Sequence, residues 1–494
     1  MTKRKQVVFR ILYFLLIIFF VVVSKLNTAQ EMWGVTGSNF AGSNSTLINP
    51  SLMSASKVYL DINLVTADFF AQNNFAYIPA DDFKPTRFLR EGYEFPTYGP
   101  DEQAFMRYDN RDLKRIFSSI RVKGPSAMLV YNDHAFAIHT AARSVVSGNR
   151  IPYEIANFAY EGLNFRPQWN INYRDYDFNF GAMAWGEIGA SWSYTYYKYA
   201  FSRWSAGITL KYLMGYSGAY LNTENIDYIV LNDSTIDIRN MNVEAGFSLP
   251  VDYNNNDFPA GNTFKGSGLG ADLGITYTRT RKGHSNQKYR NLCEQPFEDY
   301  IYRVGISILD LGAITFKDNA QKHAFKDVGY YWERIDTLDY TNIQNLVNEF
   351  SNNFYGNPVA SLVDNSFSMM LPTAVSLQAD YHYYKEWYLG GYFVYPIMFE
   401  NSHLRRPAQL ALVPRYESNE LEIAMPVSLY DLQKPRVGLS ARIYFLTIGT
   451  DKLGSFFGMS DFTGADFYFS IKLNFRKGYC RDKRSEYCTN GEYQ

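Results

Sequence analysis

Cysteine and histidine are scarce in this chain. Its 494 residues hold three cysteines, Cys293, Cys480 and Cys488, which excludes a disulfide-stapled scaffold. The six histidines are scattered, none at ligand spacing from a cysteine, so no metal site is expected. Neither sign of charge dominates. The formal net charge is −1, and a chain with no basic excess has nothing to recruit nucleic acid. Beyond residue 23 there is no long apolar run, which excludes a bundle of membrane helices. There is no Gly-x-Ser-x-Gly elbow and no His-Glu-x-x-His pair. No Gly-Lys-Ser/Thr closes the glycines at 266–274 into a phosphate loop. Asp380 and His382 share a strand face, yet alternation sets no serine beside them. The chain reads as no enzyme, with no catalytic, cofactor or metal residues.

Aromatic residues, by contrast, make up 17% of the chain, with 41 Tyr and 37 Phe. Tyr and Trp gather where a surface passes from hydrocarbon to water. Here the apolar residues fall in alternating stretches. In residues 465–475, Ala465, Phe467, Phe469, Ile471, Leu473 and Phe475 share one parity, and Asp466, Tyr468, Ser470, Lys472 and Asn474 the other. Successive strand side chains point to opposite faces, so this strand has one apolar and one polar face. Its length of about 11 residues suits a tilted strand crossing a bilayer. The pattern recurs at 58–64, 127–143, 184–194, 204–216, 269–278 and 302–316, and in strands beginning at Ala374, Trp387, Gln409, Leu421 and Arg436. Open sheet edges cannot stand in lipid, so the sheet must close. The expected fold is all-β: a transmembrane antiparallel β-barrel of roughly 14 strands (about 12–16), with short luminal or peripheral helices. An even count puts both termini on the periplasmic side of the outer membrane.

The polar parity faces a wet lumen. Glu187, Lys211, Asp272, Asp380, His382, Arg442, Asp466 and Lys472 are its candidate lining, because a charge in so apolar a strand needs water or a partner. Gly266, Gly268, Gly270 and Gly274 crowd one strand. Inward glycines are costly unless the strand bends or something approaches closely.

The remaining spans set the domain layout. Lys3, Arg4, Lys5 and Arg10 precede an apolar run at 11–23, and a cut after Ala29 completes a signal peptide over 1–29. Its removal takes the formal net charge from −1 to −6. Residues 30–56, rich in Gly, Ser and Asn, form an N-terminal luminal or periplasmic segment. The barrel occupies 57–475. Within it, 80–125 reads as a loop or inserted helix. The span 319–369 reads as an insertion in which Ile343, Leu346, Val347 and Phe350 mark an amphipathic helix. That helix packs at the mouth, plugs it or meets a partner. Residues 476–494 are a basic periplasmic tail in which Cys480 and Cys488 could form a disulfide.

Several stretches taken together carry a resemblance. They are Asn49-Pro50-Ser51, the glycine-rich run 266–274, Val304-Gly305-Ile306-Ser307-Ile308-Leu309-Asp310-Leu311-Gly312, Leu371-Pro372-Thr373 and Ile448-Gly449-Thr450-Asp451-Lys452-Leu453-Gly454. In order and spacing they resemble a family of uncharacterised outer-membrane barrels from Bacteroidota, itself distantly similar to the PorV, SprF/PorP and FadL-type barrels. The resemblance implies a luminal place for the Asn49-Pro50 stretch and a structural role for the glycine-rich strand. It implies two functions. PorV- and SprF-like proteins serve type 9 secretion and gliding as partners of other proteins, whereas FadL-like proteins move hydrophobic molecules through a lateral opening. The leading expectation is a non-enzymatic partner or scaffold in an envelope or secretion assembly, surrounded by outer-membrane lipid and other envelope proteins. The alternative is a transporter or channel for small solutes, hydrophobic ones included.

Overall fold

The computed structural model describes residues 31–83, 96–98, 103–282, 299–338, 341–399 and 402–475. The expected signal peptide, the C-terminal tail and all three cysteines lie outside the described residues.

Fourteen antiparallel staves close into a barrel. β1 (Leu60–Asn73), β2 (Lys114–Tyr131), β3 (His134–Ile151), β4 (Asn172–Tyr199) and β5 (Ser202–Val230) pair in chain order. β6 has two pieces, Ile236–Ser248 and Gly266–Thr280, as does β7, with Tyr300–Phe316 and Ala320–Trp332. β8 joins Leu362–Asp364, Phe367–Met370 and Ala374–Tyr384. β9 (Trp387–Pro396) and β10 (Gln409–Glu417) follow. β11 joins Leu421–Ala424 to Val427–Tyr430, and β12 joins Lys434–Val437 to Leu439–Ile443. β13 (Leu446–Thr450) and β14 (Gly464–Phe475) complete the ring. β14 pairs back onto β1, with Phe475 opposite Leu60 and Gly464 opposite Gln72. Every edge is thereby paired, as a sheet in lipid requires.

Alternation sorts the wall. Ile138, Ile188, Leu210 and Leu269 are exposed on the outer face, while Ser191, Thr209 and Lys211 are buried on the inner one. The tight turns, such as those between β2 and β3, β4 and β5, β8 and β9, and β12 and β13, share one end with Leu60 and Phe475. Near that end Tyr199, Tyr383 and Trp387 stand exposed, the position of an interfacial aromatic girdle.

Three stretches depart from the periodicity reading. Residues 80–125 end in strand β2, whose parity is reset by an irregularity between Lys123 and Ser126. The run 127–143 is two strands, broken at Asn132, which has φ +53°. Within 319–369, the strand Ala320–Trp332 precedes the helix, its alternation interrupted between Phe325 and Val328 and again before Tyr330. β13 was hidden as well, because the turn at Tyr444 (φ +52°) interrupts an apolar run.

β4 and β5, of 28 and 29 residues, far exceed the roughly 10 that a crossing needs. Their outer halves, with the outer pieces of β6 and β7, project as a sheet. A 13-residue helix, Ile343–Tyr355, lies on that sheet, setting Phe350 against Trp332 and Phe354 against Phe325.

Candidate functional site

The lumen is filled by the chain itself. Residues 31–56 are buried almost throughout and run inside the barrel as one short helix, α1 (Trp33–Thr36), and two 3-10 turns, Gly42–Leu47 and Pro50–Ala55. Glycine, serine and asparagine suit such tight, side-chain-bonded turns better than a long helix. Asn49 starts the second turn with its side chain accepting from Ser51 N at 2.9 Å, and Pro50 follows. The same Asn49 amide donates to Gln378 Oε1 at 2.9 Å. Ser51 Oγ meets Thr276 Oγ1 at 2.6 Å. The wall makes room here with glycines on three adjacent staves. A Cβ at Gly274 would overlap Asn49 Oδ1, one at Gly207 would overlap the Pro50–Ser51 backbone, and one at Gly305 would stand 2.8 Å from Gln378 Oε1. Gly268 and Gly266 instead face the backbone of Ala313 and Thr315 on the neighbouring stave, and Gly270 lies near Leu371.

Ion pairs fix the rest of this segment to the wall. In one network Arg143 grips Asp310 through both nitrogens, at 2.7 and 2.9 Å, and reaches Glu187 at 3.4 Å. Lys211 bridges Asp272 and Asp310 at 2.8 Å each. Arg406 donates through Nε to Glu31 at 2.9 Å, joining the filling segment to the same cluster. In a second network Asp380 accepts from Tyr300 (2.6 Å), Arg415 (2.7 Å) and Arg303 (3.0 Å), while Glu417 accepts from Arg415, Asn39 and Lys57. In a third, Lys472 donates to the Phe40 and Ala41 carbonyls at 2.5 and 2.7 Å, and Asp61 accepts from Ser43 N at 2.8 Å. Each of the charges named in these networks is thus matched by a partner, which burial demands.

The structure buries all eight charged residues picked out by alternation, but it does not join them into one site. Glu187, Lys211 and Asp272 share the first network. Asp380 belongs to the second and Lys472 to the third. Arg442 pairs with Glu422 at 3.0 Å, and Asp466 accepts from Asp451 N at 2.8 Å. His382 turns to Asp299, 2.6 Å away, and stacks on Tyr388. Periodicity missed the hubs. Asp310 sits at φ +55° where the β6–β7 register slips between Ile308 and Leu311, so its parity is scrambled. Arg406 lies in a connection, where no period exists.

Away from the short turns the lumen changes character. Phe70, Trp185, Leu213, Phe316 and Met369 belong to a buried apolar cluster that also includes Phe117 and Tyr430. Phe117 and Tyr430 also line a cleft, open to solvent, whose lining includes Arg115, Arg405, Asp431 and Lys434. Residues 402–408 strap across this layer. Leu404 joins the apolar cluster, Arg405 N and O both bond Ser147 Oγ at 3.1 Å, and His403 stacks on Tyr220 with ring centres 3.8 Å apart. Burial pushes the His403 imidazole down to about 4.

A closed antiparallel barrel with an apolar outer face and an interior of peptide, ion pairs and an apolar layer defines a transmembrane β-barrel protein. The chain belongs to the family DUF5723, a family of unknown function whose sequence model matches residues 50–451. Among curated proteins nothing matches it. Among solved structures it is similar to a deletion mutant of the monoaromatic hydrocarbon channel TodX, at 10% identity and TM-score 0.45, covering 91% of this chain and 99% of that one. It is similar also to the toluene transporter TbuX of Ralstonia pickettii, at 8% identity and TM-score 0.41, covering 91% and 98%. A Pseudomonas aeruginosa FadL homologue matches at 11% identity and TM-score 0.39, covering 91% and 99%. Identities this low speak of fold alone.

Proposed function

We propose that this barrel passes small, largely apolar solutes across the outer membrane, the reading that stood second at the level of sequence. One observation carries it. Phe117 and Tyr430 belong both to the solvent-open cleft and to the buried apolar cluster, so the floor of the cleft abuts the apolar layer inside the lumen. A pore for ions would line this level with polar groups. Small apolar solutes bind in concave apolar sites with a few polar groups at the edge, and methionines such as Met183 and Met369 let such a site adapt. The test is uptake of naphthalene by cells producing the barrel. Phe117→Ser should slow uptake at least about fivefold while the folded, unheated form still migrates faster on a gel. Equal uptake with and without the protein would overturn the reading.

A second reading, the scaffold or partner in an envelope or secretion assembly, draws on the projecting sheet and the residues beside it. Tyr176, Tyr331, Val359 and Val363 stand exposed there, more apolar surface than water favours. Native mass spectrometry of the gently extracted protein decides it, through the presence or absence of a stoichiometric partner. In either case we assign the short-turn end, and with it both termini, to the periplasm, because outer-membrane barrels keep their short connections there. Residues 1–29 are then a cleaved export signal.

A further inference from the structure

We propose that the outer wall carries a phospholipid site at Arg279, which takes the phosphodiester of one glycerophospholipid from the leaflet at the short-turn end. The inference is independent of what the barrel transports. It uses the periplasmic assignment of that end only to say which leaflet supplies the lipid.

Three observations meet here. The first is height. Arg279 is the next-to-last residue of β6, in register with Ser202 at the start of β5 and with Tyr302 on β7. Trp204, Tyr302 and Tyr381 stand exposed at this level, where headgroups meet hydrocarbon. The second is charge. Alternation turns Arg279 outward with Ile275 and Tyr277, away from the luminal networks, and among the described residues no acid pairs with it. Asp299, an acid at the same end, is taken by Arg281 at 3.1 Å and by His382 at 2.6 Å. The Arg279 guanidinium carbon lies instead 5.0 Å from the centre of the Phe201 ring. The third is the donor set. The Tyr277 hydroxyl meets Ser202 Oγ at 3.2 Å and has Arg279 and Tyr302 beside it. Trp204 and Tyr302 flank Tyr277, with ring centres 5.0 and 6.1 Å away.

A guanidinium and the hydroxyls of three adjacent staves thus gather one positive charge and several donors with no counter-ion. A phosphodiester brings one negative charge and oxygens that a planar guanidinium grips in pairs. The low dielectric beside hydrocarbon strengthens that pairing. Apolar side chains continue from the donor set towards the middle of the wall. Leu273 and Ile275 on β6 and Val304 and Ile306 on β7 are exposed on the same face, with Ile275 opposite Ile306. Acyl chains can lie along this ladder. A free phosphate finds the charge without the ladder, and a neutral lipid finds the ladder without the charge. A phospholipid uses both.

The test uses the full-length barrel, purified from its own membrane into detergent and read by native mass spectrometry. Three probes are compared at equal concentration: dioleoylphosphatidylglycerol, dioleoylglycerol and glycerol 3-phosphate. The wild type should retain one phosphatidylglycerol at least about tenfold more strongly than either of the others, the scale of a hydrogen bond to a charged group. Arg279→Gln should bring phosphatidylglycerol down to the level of dioleoylglycerol. Arg174→Gln, on the projecting sheet and paired with Asp227, should leave it unchanged. Tyr277→Phe, which removes one hydroxyl, should weaken retention about threefold. Dioleoylglycerol retained as well as phosphatidylglycerol would mean an apolar wall on which Arg279 only snorkels. Glycerol 3-phosphate retained as well would mean an anion site with no preference for lipid. Either result overturns the proposal, as does unchanged retention in Arg279→Gln. Should that variant fail to migrate as a folded barrel, the three probes on the wild type and on Tyr277→Phe decide. Binding in detergent does not depend on which way the barrel sits, so a reversed orientation would change the leaflet and leave the site standing.

Discussion

The two halves of the lumen differ in what is added to apolar packing, which both contain. Towards the short turns, the filling segment is held by directional contacts: Arg415 between Asp380 and Glu417, Asn49 on Gln378, Lys472 on two carbonyls. Towards the long connections, the interior is Phe70, Trp185, Phe316 and Met369, held by dispersion and burial. Hydrogen bonds and ion pairs lose their value within a fraction of an ångström and a few tens of degrees. Apolar contact has no preferred direction and scales with area. The first half therefore specifies one peptide in one register and seals. The second can exchange one apolar neighbour for another, which is what admitting a solute requires.

The largest way to break this contrast is to remove one partner from the sealed half. Asp310→Asn strips Arg143 and Lys211 of their shared carboxylate and leaves Arg406 with one acid fewer. Leaving buried charges uncompensated costs about 3–5 kcal/mol, and the urea midpoint of the micelle-embedded barrel should fall accordingly. An unchanged midpoint would mean that water reaches this network freely. Next in size is Gly274→Ala, whose methyl would displace Asn49. Overpacking of this kind costs about 1–3 kcal/mol, and the segment at 31–56 should become open to protease. Gly391→Ala, whose Cβ would meet nothing closer than 3.6 Å, is the silent control.

Acid should act on the other half. His403 is held neutral by burial, with a folded value of about 4 against an ordinary value near 6.5. Between those values the unfolded chain binds the proton and the folded one does not. Its contribution is therefore whole above about pH 6.5 and is lost as pH falls towards 4, by up to about 3 kcal/mol. Thermal melts from pH 7 to pH 4 should show the loss, and His403→Phe, which keeps a ring against Tyr220, should flatten it. A variant as acid-sensitive as the wild type would place the titrating group elsewhere.

How much of this was legible beforehand follows from what repeats. The staves were readable because lipid outside and polarity inside force a period of two. Ala374–Tyr384 and Gly464–Phe475 were found almost to the residue. The inward glycines at 268, 270 and 274 announced that something approaches the wall closely, and at Gly274 that is Asn49. What was lost lay where the period breaks. The register slip at Asp310 hid a hub, the irregularity after Lys123 hid a whole strand, and the connection at 402–408 has no period to read. The apolar layer was invisible for other reasons: Trp185 points inward on the parity of Glu187 and Ser191, expected to be polar, and Phe117 fell in the span 80–125, read as a loop or inserted helix, so neither announced the second half of the lumen.

The smallest expected effect sharpens the comparison most, because it applies a near-isosteric change to each half. Asp310→Asn preserves shape and destroys a charge. Met369→Leu preserves volume and apolarity but exchanges a flexible thioether for a stiffer branched chain. Met369 is fully buried beside Phe316 and Leu371, where a volume-conserving swap costs less than about 1.5 kcal/mol, so the urea midpoint should barely move. If this layer admits solute by rearranging, the loss of side-chain freedom should still slow naphthalene uptake by a measurable factor, about two- to threefold. Stability kept and uptake lowered would separate a mouth that adapts from one that is merely packed. A loss of stability as large as that of Asp310→Asn, with uptake unchanged, would show the apolar half to be as specified as the sealed one, and would take away the distinction on which the transport reading stands.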